Sequence, residues 1–144
     1  MSFLAGDLLT AQRVNRLRPT PYTKAATGTL GAGVTTADVP GATITFDTET
    51  DGAEVQVTWF VDFDLSGATT SLHSSRVLLD GVTASDTFAT YAAEVATDRG
   101  STGSTHKYTI PLAGSHTIKI QATTPANGGV NLYSVLSLVV YEIV

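Results

Sequence analysis

EVQVTWFVDFDL, Glu54 to Leu65, is the stretch whose reading decides the fold. Val55, Val57, Trp59, Val61, Phe63 and Leu65 share one parity, and Glu54, Gln56, Thr58, Asp62 and Asp64 the other. Side chains on a strand point alternately to its two faces, so a period of two predicts a strand with one face in a core and one in water. Phe60 alone breaks the pattern. Such half-wet alternation belongs to antiparallel sheets.

Outward from this strand the same grammar repeats. Upstream, ATITF places Ile44 and Phe46 on one face, and DTETDG follows with Asp51-Gly52, a hairpin signal. Downstream, SGATTS ends the strand, SRVLLDG supplies another with an Asp80-Gly81 turn, and TFATYAAEVA follows. RGSTGST reads as a loop, KYTIPL as a strand ending near Pro111, and SHTIKIQATT as a strand entered through Ala113-Gly114. PANGG is a turn.

The closing segment, VNLYSVLSLVVYEIV, is different. Leu132, Leu136, Leu138 and Val140 occupy one parity, whereas Tyr133, Val135, Val139, Tyr141 and Ile143 occupy the other. Both faces are apolar, so the second lies under a loop or helix or meets another subunit. Tyr133, Val135, Val139, Tyr141 and Ile143 are therefore the expected oligomer interface. About seven or eight strands without crossover helices predict an all-β protein, an antiparallel jelly-roll β-sandwich over 41–144.

The chain opens otherwise, with FLAGDLLTAQRVNRLRP. Thr10 is an N-cap candidate, with Leu9 before it and Val14 four positions after it in hydrophobic-staple spacing. Pro19 and Pro21 stop the helix after about two turns, too short to be stable alone. Residues 1–24 carry four basic residues against one acidic, +3, and the rest four basic against twelve acidic, −8. A basic, apolar-striped segment on an acidic body predicts a docking arm over 1–22, with Phe3, Leu4, Leu8, Leu9, Arg13, Val14, Arg16 and Leu17 as its contacts. Residues 23–40, small and polar with Gly28, Gly31 and Gly33, read as a linker or irregular edge strand.

Composition bounds function as well. The 144 residues include no cysteine, so packing alone must hold the domain and no thiolate metal site exists. No basic leader precedes an apolar stretch and no run approaches a membrane span, so a soluble, non-secreted product is expected. An acidic body repels nucleic acid and anionic membrane, and neither is expected as a partner.

Catalytic and metal signatures are weak. DTETDG approaches a calcium-loop pattern, but Glu49 takes the third position and Thr58 stands where a bidentate Glu is needed, so a solvated turn is expected. Asp62 and Asp64 read as a polar sheet face. His73, His106 and His116 have no ligand spacing and are expected at the surface. No serine lies in G-x-S-x-G, and GTLGAG and NGGVN lack a P-loop lysine. No enzyme and no cofactor are expected.

The opening segment resembles that of many small virion proteins of tailed bacteriophages, particularly of actinobacterial hosts. The matching positions are Phe3, Ala5-Gly6, Leu9-Thr10-Ala11 and Val14-Asn15. PLAGSHTIKIQATT and NLYSVLSLVVYEIV are similar to the last strands of β-sandwich domains in phage tail and head-surface proteins. The resemblance implies a trimeric minor tail or capsid-decoration protein of the virion, assembled in the host cytoplasm. Its partners would be copies of itself and a tail, baseplate or major capsid protein. A carbohydrate-binding module recognising a host-surface glycan is the alternative.

Overall fold

A computed structural model describes residues 11–65, 71–93 and 97–143, leaving aside the side chains of Gln12, Arg13, Leu65, Ser71 and Ala93. Helix α1 (Ala11–Arg16) precedes ten described strands: β1 (Thr20–Ala25), β2 (Ala37–Thr48), β3 (Glu54–Leu65), β4 (Ser71–Leu79), β5 (Thr83–Ala84), β6 (Ala89–Ala93), β7 (Arg99–Thr109), β8 (Gly114–Thr123), β9 (Gly128–Val130) and β10 (Val135–Tyr141). One sheet has the order β1-β10-β3-β7 with β9 also on β3, and the other β2-β8-β4-β5 with β6 also on β4. Every pairing among them is antiparallel. Successive long strands, β2, β3, β4, β7, β8 and β10, pass between the two sheets, and the result is a jelly-roll β-sandwich.

The core follows the parity of the quoted strand. Val55, Val57, Trp59, Val61 and Phe63 are all 0% exposed and face Phe46, Val77, Ile118 and Ile120 of the opposite sheet. A buried indole needs a partner for its N–H. Trp59 Nε1 donates to Ser75 Oγ at 3.0 Å, across the sandwich. The Tyr108 hydroxyl donates to the Val77 carbonyl at 3.0 Å, and burial pushes this phenol up to about 12.

Two turn expectations separate here. Asp80 and Gly81, at φ 49° and 71°, close a true hairpin between β4 and β5, because both residues reach the left-handed region that such tight connections require. Asp51-Gly52 makes no hairpin. β2 pairs with β8 and β3 with β10 and β7, so this turn carries the chain from one sheet to the other. Glu142 holds it, accepting from the Glu49 and Thr50 N–H groups at 2.9 and 3.0 Å.

RGSTGST is not a loop but the first half of β7, paired with β3 from Arg99↔Asp64 to Thr105↔Thr58. Glycine is a poor strand former because it has no side chain to pack. Here neighbouring aromatics take that space: the Phe60 ring lies over Gly103 and the Tyr91 ring over Gly100.

Residues 23–40 are tied to the sandwich at several points. Ala25 pairs with Val135, Ala26 N donates to Ser134 O at 2.8 Å, and Leu30 and Val130 exchange backbone bonds at 2.9 Å. The pairing of β2 with β8 begins at Ala37 and shifts register between Asp38 and Thr43, where Pro40 can lie at an irregularity without breaking a ladder.

Candidate assembly surface

Four strands, β1, β10, β3 and β7, present their outer parity side by side. In register across the first sheet stand Ala25, Val135, Phe60 and Gly103, then Thr23, Ser137, Thr58 and Thr105, then Pro21, Val139, Gln56 and Lys107. The first row is apolar, with Phe60 54% exposed and Val135 half-buried. The second is a hydroxyl ladder, with Thr23 to Ser137 at 3.2 Å and Thr58 to Thr105 at 3.1 Å. These hydroxyls satisfy one another, which lowers the cost of taking them out of water.

Charge gathers at the two ends of this face. At one end Lys107 Nζ meets Glu54 Oε2 at 2.7 Å. At the other, Asp62 is 3% exposed, held by the Arg99 guanidinium with Nε 3.1 Å from each carboxylate oxygen. Asp62 was expected on a wet sheet face. The turn between β9 and β10 crosses it instead: Asn131 N donates to the Asp62 carbonyl and the Asp62 N–H to Ser134 Oγ. The paired carboxylate holds the Arg99 guanidinium more firmly protonated.

The expected oligomer residues divide into three positions. Val135 and Val139 lie on the outer face, half-buried by sheet neighbours. Tyr133 precedes β10 and is 75% exposed, its ring 5.1 Å from the Arg99 guanidinium carbon. Tyr141 and Ile143, 40% and 48% exposed, line a groove of about 260 Å³ with Arg16, Leu17, Glu54 and Glu142. That groove also brings in Arg16 and Leu17 of the expected docking set. Val14 and Leu17 are exposed, and Arg16 Nε donates to Glu49 Oε2 at 2.9 Å. Phe3, Leu4, Leu8 and Leu9 lie outside the described residues, and so does the side chain of Arg13.

Phe60, Pro21 and Ala25 belong to this surface and were not anticipated. The available signal was Phe60, the one apolar residue out of step in Glu54–Leu65.

The three histidines are not surface groups. His73 is 0% exposed between Phe63 and Tyr91, with Nε2 3.0 Å from the Asp64 carbonyl oxygen and Nδ1 without a hydrogen-bond partner among the described residues. His106 pairs with Asp86 at 3.1 Å and His116 with Asp80 at 2.8 Å, both rings largely covered.

No family model matches the chain, and no curated protein does. Among solved structures it is similar to the tripod from the baseplate of bacteriophage Tuc2009, at 13% identity and TM-score 0.59 over 99% of this chain and 73% of that one. It is also similar to murine APRIL at pH 5.0, at 13% identity and TM-score 0.52 over 85% and 98%. A CBM35 of Cellvibrio japonicus Abf62 matches at 12% identity and TM-score 0.42 over 82% and 92%, too distant to inform function. At such identities the likeness is one of fold, and this jelly roll shares its fold with a component of a phage baseplate.

Proposed function

We propose that the chain is a non-enzymatic structural protein of a tailed-phage virion. Three copies bury the outer face of the first sheet around a common axis, and the segment ahead of β1 docks the assembly onto a tail, baseplate or capsid neighbour. The observation that carries this reading is the outer face itself, where Ala25, Val135, Phe60, Pro21 and Val139 adjoin a self-satisfied hydroxyl ladder between two charged ends. A β10 strand whose inner side chains Leu136, Leu138 and Val140 are already in the core has no use for a second apolar face in a lone subunit.

Size refines the proposal. Strands about 4.8 Å apart and same-face residues about 6.8 Å apart give the face roughly 300–400 Å². A stable interface buries about 800 Å² per partner, so adjoining surface must join it. The Leu17, Tyr141 and Ile143 groove lies at its Tyr141 end and supplies apolar area there. Closed rotational symmetry lets each copy offer this face once. The likeness to a baseplate tripod supports the same reading.

The test is sedimentation equilibrium on the full chain, followed by virion incorporation of a chain lacking residues 1–10. Trimers in solution, and loss of incorporation without loss of trimers, are expected. Single subunits alone at micromolar concentration would overturn the assembly, and undiminished incorporation would overturn the docking role.

A further inference from the structure

On the outer face of the second sheet a cleft of about 70 Å³ is lined by Thr36, Ser74, Arg76, Phe88, Gln121 and Thr123. Register builds it: Ser74 stands opposite Thr123, and Arg76 opposite Gln121. Arg76 has no hydrogen-bond or ion-pair partner among the described residues, although a carboxylate stands in its own row. Asp38, paired with Gln121 in register, is already taken by Lys119 Nζ at 2.6 Å and Gln121 Nε2 at 3.0 Å. That bond fixes the Gln121 amide and leaves its carbonyl oxygen as an acceptor.

The rim of the cleft is held in place. Thr36 has φ 54°, a left-handed conformation costly for a β-branched residue. Thr123 Oγ1 secures it, accepting from the Thr36 N–H at 3.2 Å, with the two hydroxyls 3.4 Å apart. Phe88 is 52% exposed at the opposite side.

We infer that this cleft is a binding site for an acidic monosaccharide unit, a uronate. A planar guanidinium without a partner among the described residues matches a carboxylate through two parallel hydrogen bonds. The Thr36, Ser74 and Thr123 hydroxyls both donate and accept, as sugar hydroxyls require. The Phe88 ring offers an apolar surface to the C–H face of a pyranose. The volume suits the carboxylate and its first ring atoms, with the remainder of the sugar lying over Phe88. A single cation uncommitted among the described residues, on a body of net charge −8 over residues 25–144, selects a singly charged group and disfavours a polyanion. The inference is independent of the assembly, since every contributing residue belongs to one subunit.

The full chain is titrated with sodium glucuronate, glucose and sodium acetate, each to roughly 20 mM, the weak range expected for one small ligand on an open face. Chemical shifts of the Arg76, Gln121 and Phe88 backbone amides are the readout. Glucuronate is expected to bind about tenfold more tightly than either glucose or acetate, because only it satisfies the guanidinium and covers the ring together. Arg76→Gln should weaken it about tenfold, Arg76→Lys less, and Phe88→Ala should bring it to the level of acetate. Acetate binding as tightly as glucuronate would overturn the sugar assignment. Absence of saturable shifts, or equal binding by Arg76→Gln with an unchanged melting temperature, would overturn the site.

Discussion

The two sheets turn opposite kinds of outer face away from one shared core. On the first, Ala25, Phe60, Val135, Pro21 and Val139 flank a hydroxyl ladder, and charged pairs are confined to its ends. On the second, Asp38, Lys119, Gln121, Thr43, Thr45 and Thr117 run in register, with Asp38 bonded to both Lys119 and Gln121. The pleat is the same in both, so geometry cannot account for the difference. Residue choice does. The β2–β8 part of the second face is written for water, where polar groups lose nothing by exposure; the first leaves a row of apolar side chains facing water.

Substitution can break this contrast. Val139→Glu puts a charge on the first face between Pro21 and Gln56, and an unpaired charge in a closed interface costs about 4 kcal/mol, roughly a thousandfold in association. Sedimentation should then find single subunits. Thr43→Glu on the second face, opposite Lys119, should leave both mass and melting temperature nearly unchanged, within about 0.5 kcal/mol. Equal effects of the two would erase the distinction between the faces.

Arg99→Ala probes the charged end of the first face. It leaves the 3%-exposed Asp62 carboxylate without its counter-ion and should lower the urea-unfolding midpoint. Gly103→Val tests the seat of Phe60. A Cβ there would stand 2.6 Å from the Trp59 carbonyl oxygen and against the Phe60 ring, so a stronger strand former should destabilise by about 2 kcal/mol. An unchanged melting temperature would mean that the ring moves aside freely.

A small, pH-dependent effect is expected at the edge of the second sheet. Burial opposes ionisation of Asp80, but hydrogen bonds from His116 and the Thr117 N–H outweigh it and hold the carboxyl below its ordinary 3.8. A depressed folded-state value stabilises above 3.8 and loses that contribution as pH falls through the lowered value. Asp80→Asn should therefore cost something at pH 7, under about 1 kcal/mol because the pair is largely solvent-screened, and less at pH 2. Melting curves at the two pH values check the sign.

Legibility followed the range of the interactions. The Glu54–Leu65 alternation, the Asp80-Gly81 turn and the two-faced closing strand are local patterns and were readable. The Arg99–Asp62 pair joins residues 37 apart in the chain, and nothing in either neighbourhood announces it. RGSTGST was misread because its glycines owe their strand conformation to rings from other strands. His73 was misread for a similar reason: its polar flanks, Ser74 and Ser75, conceal that Phe63 and Tyr91 close over it.

Hydrophobic periodicity determined by itself that this chain makes strands, which side chains of each strand enter a core, and that β10 carries apolar groups on both faces, because burial of alternate side chains is a property of the local pleat. Only the tertiary structure decided which strands are neighbours, and so which outer side chains form one continuous surface. Pro21, Phe60 and Val139 are far apart in sequence and share a face solely because β1, β10 and β3 lie side by side, a pairing set by long-range hydrogen bonding that no local pattern encodes.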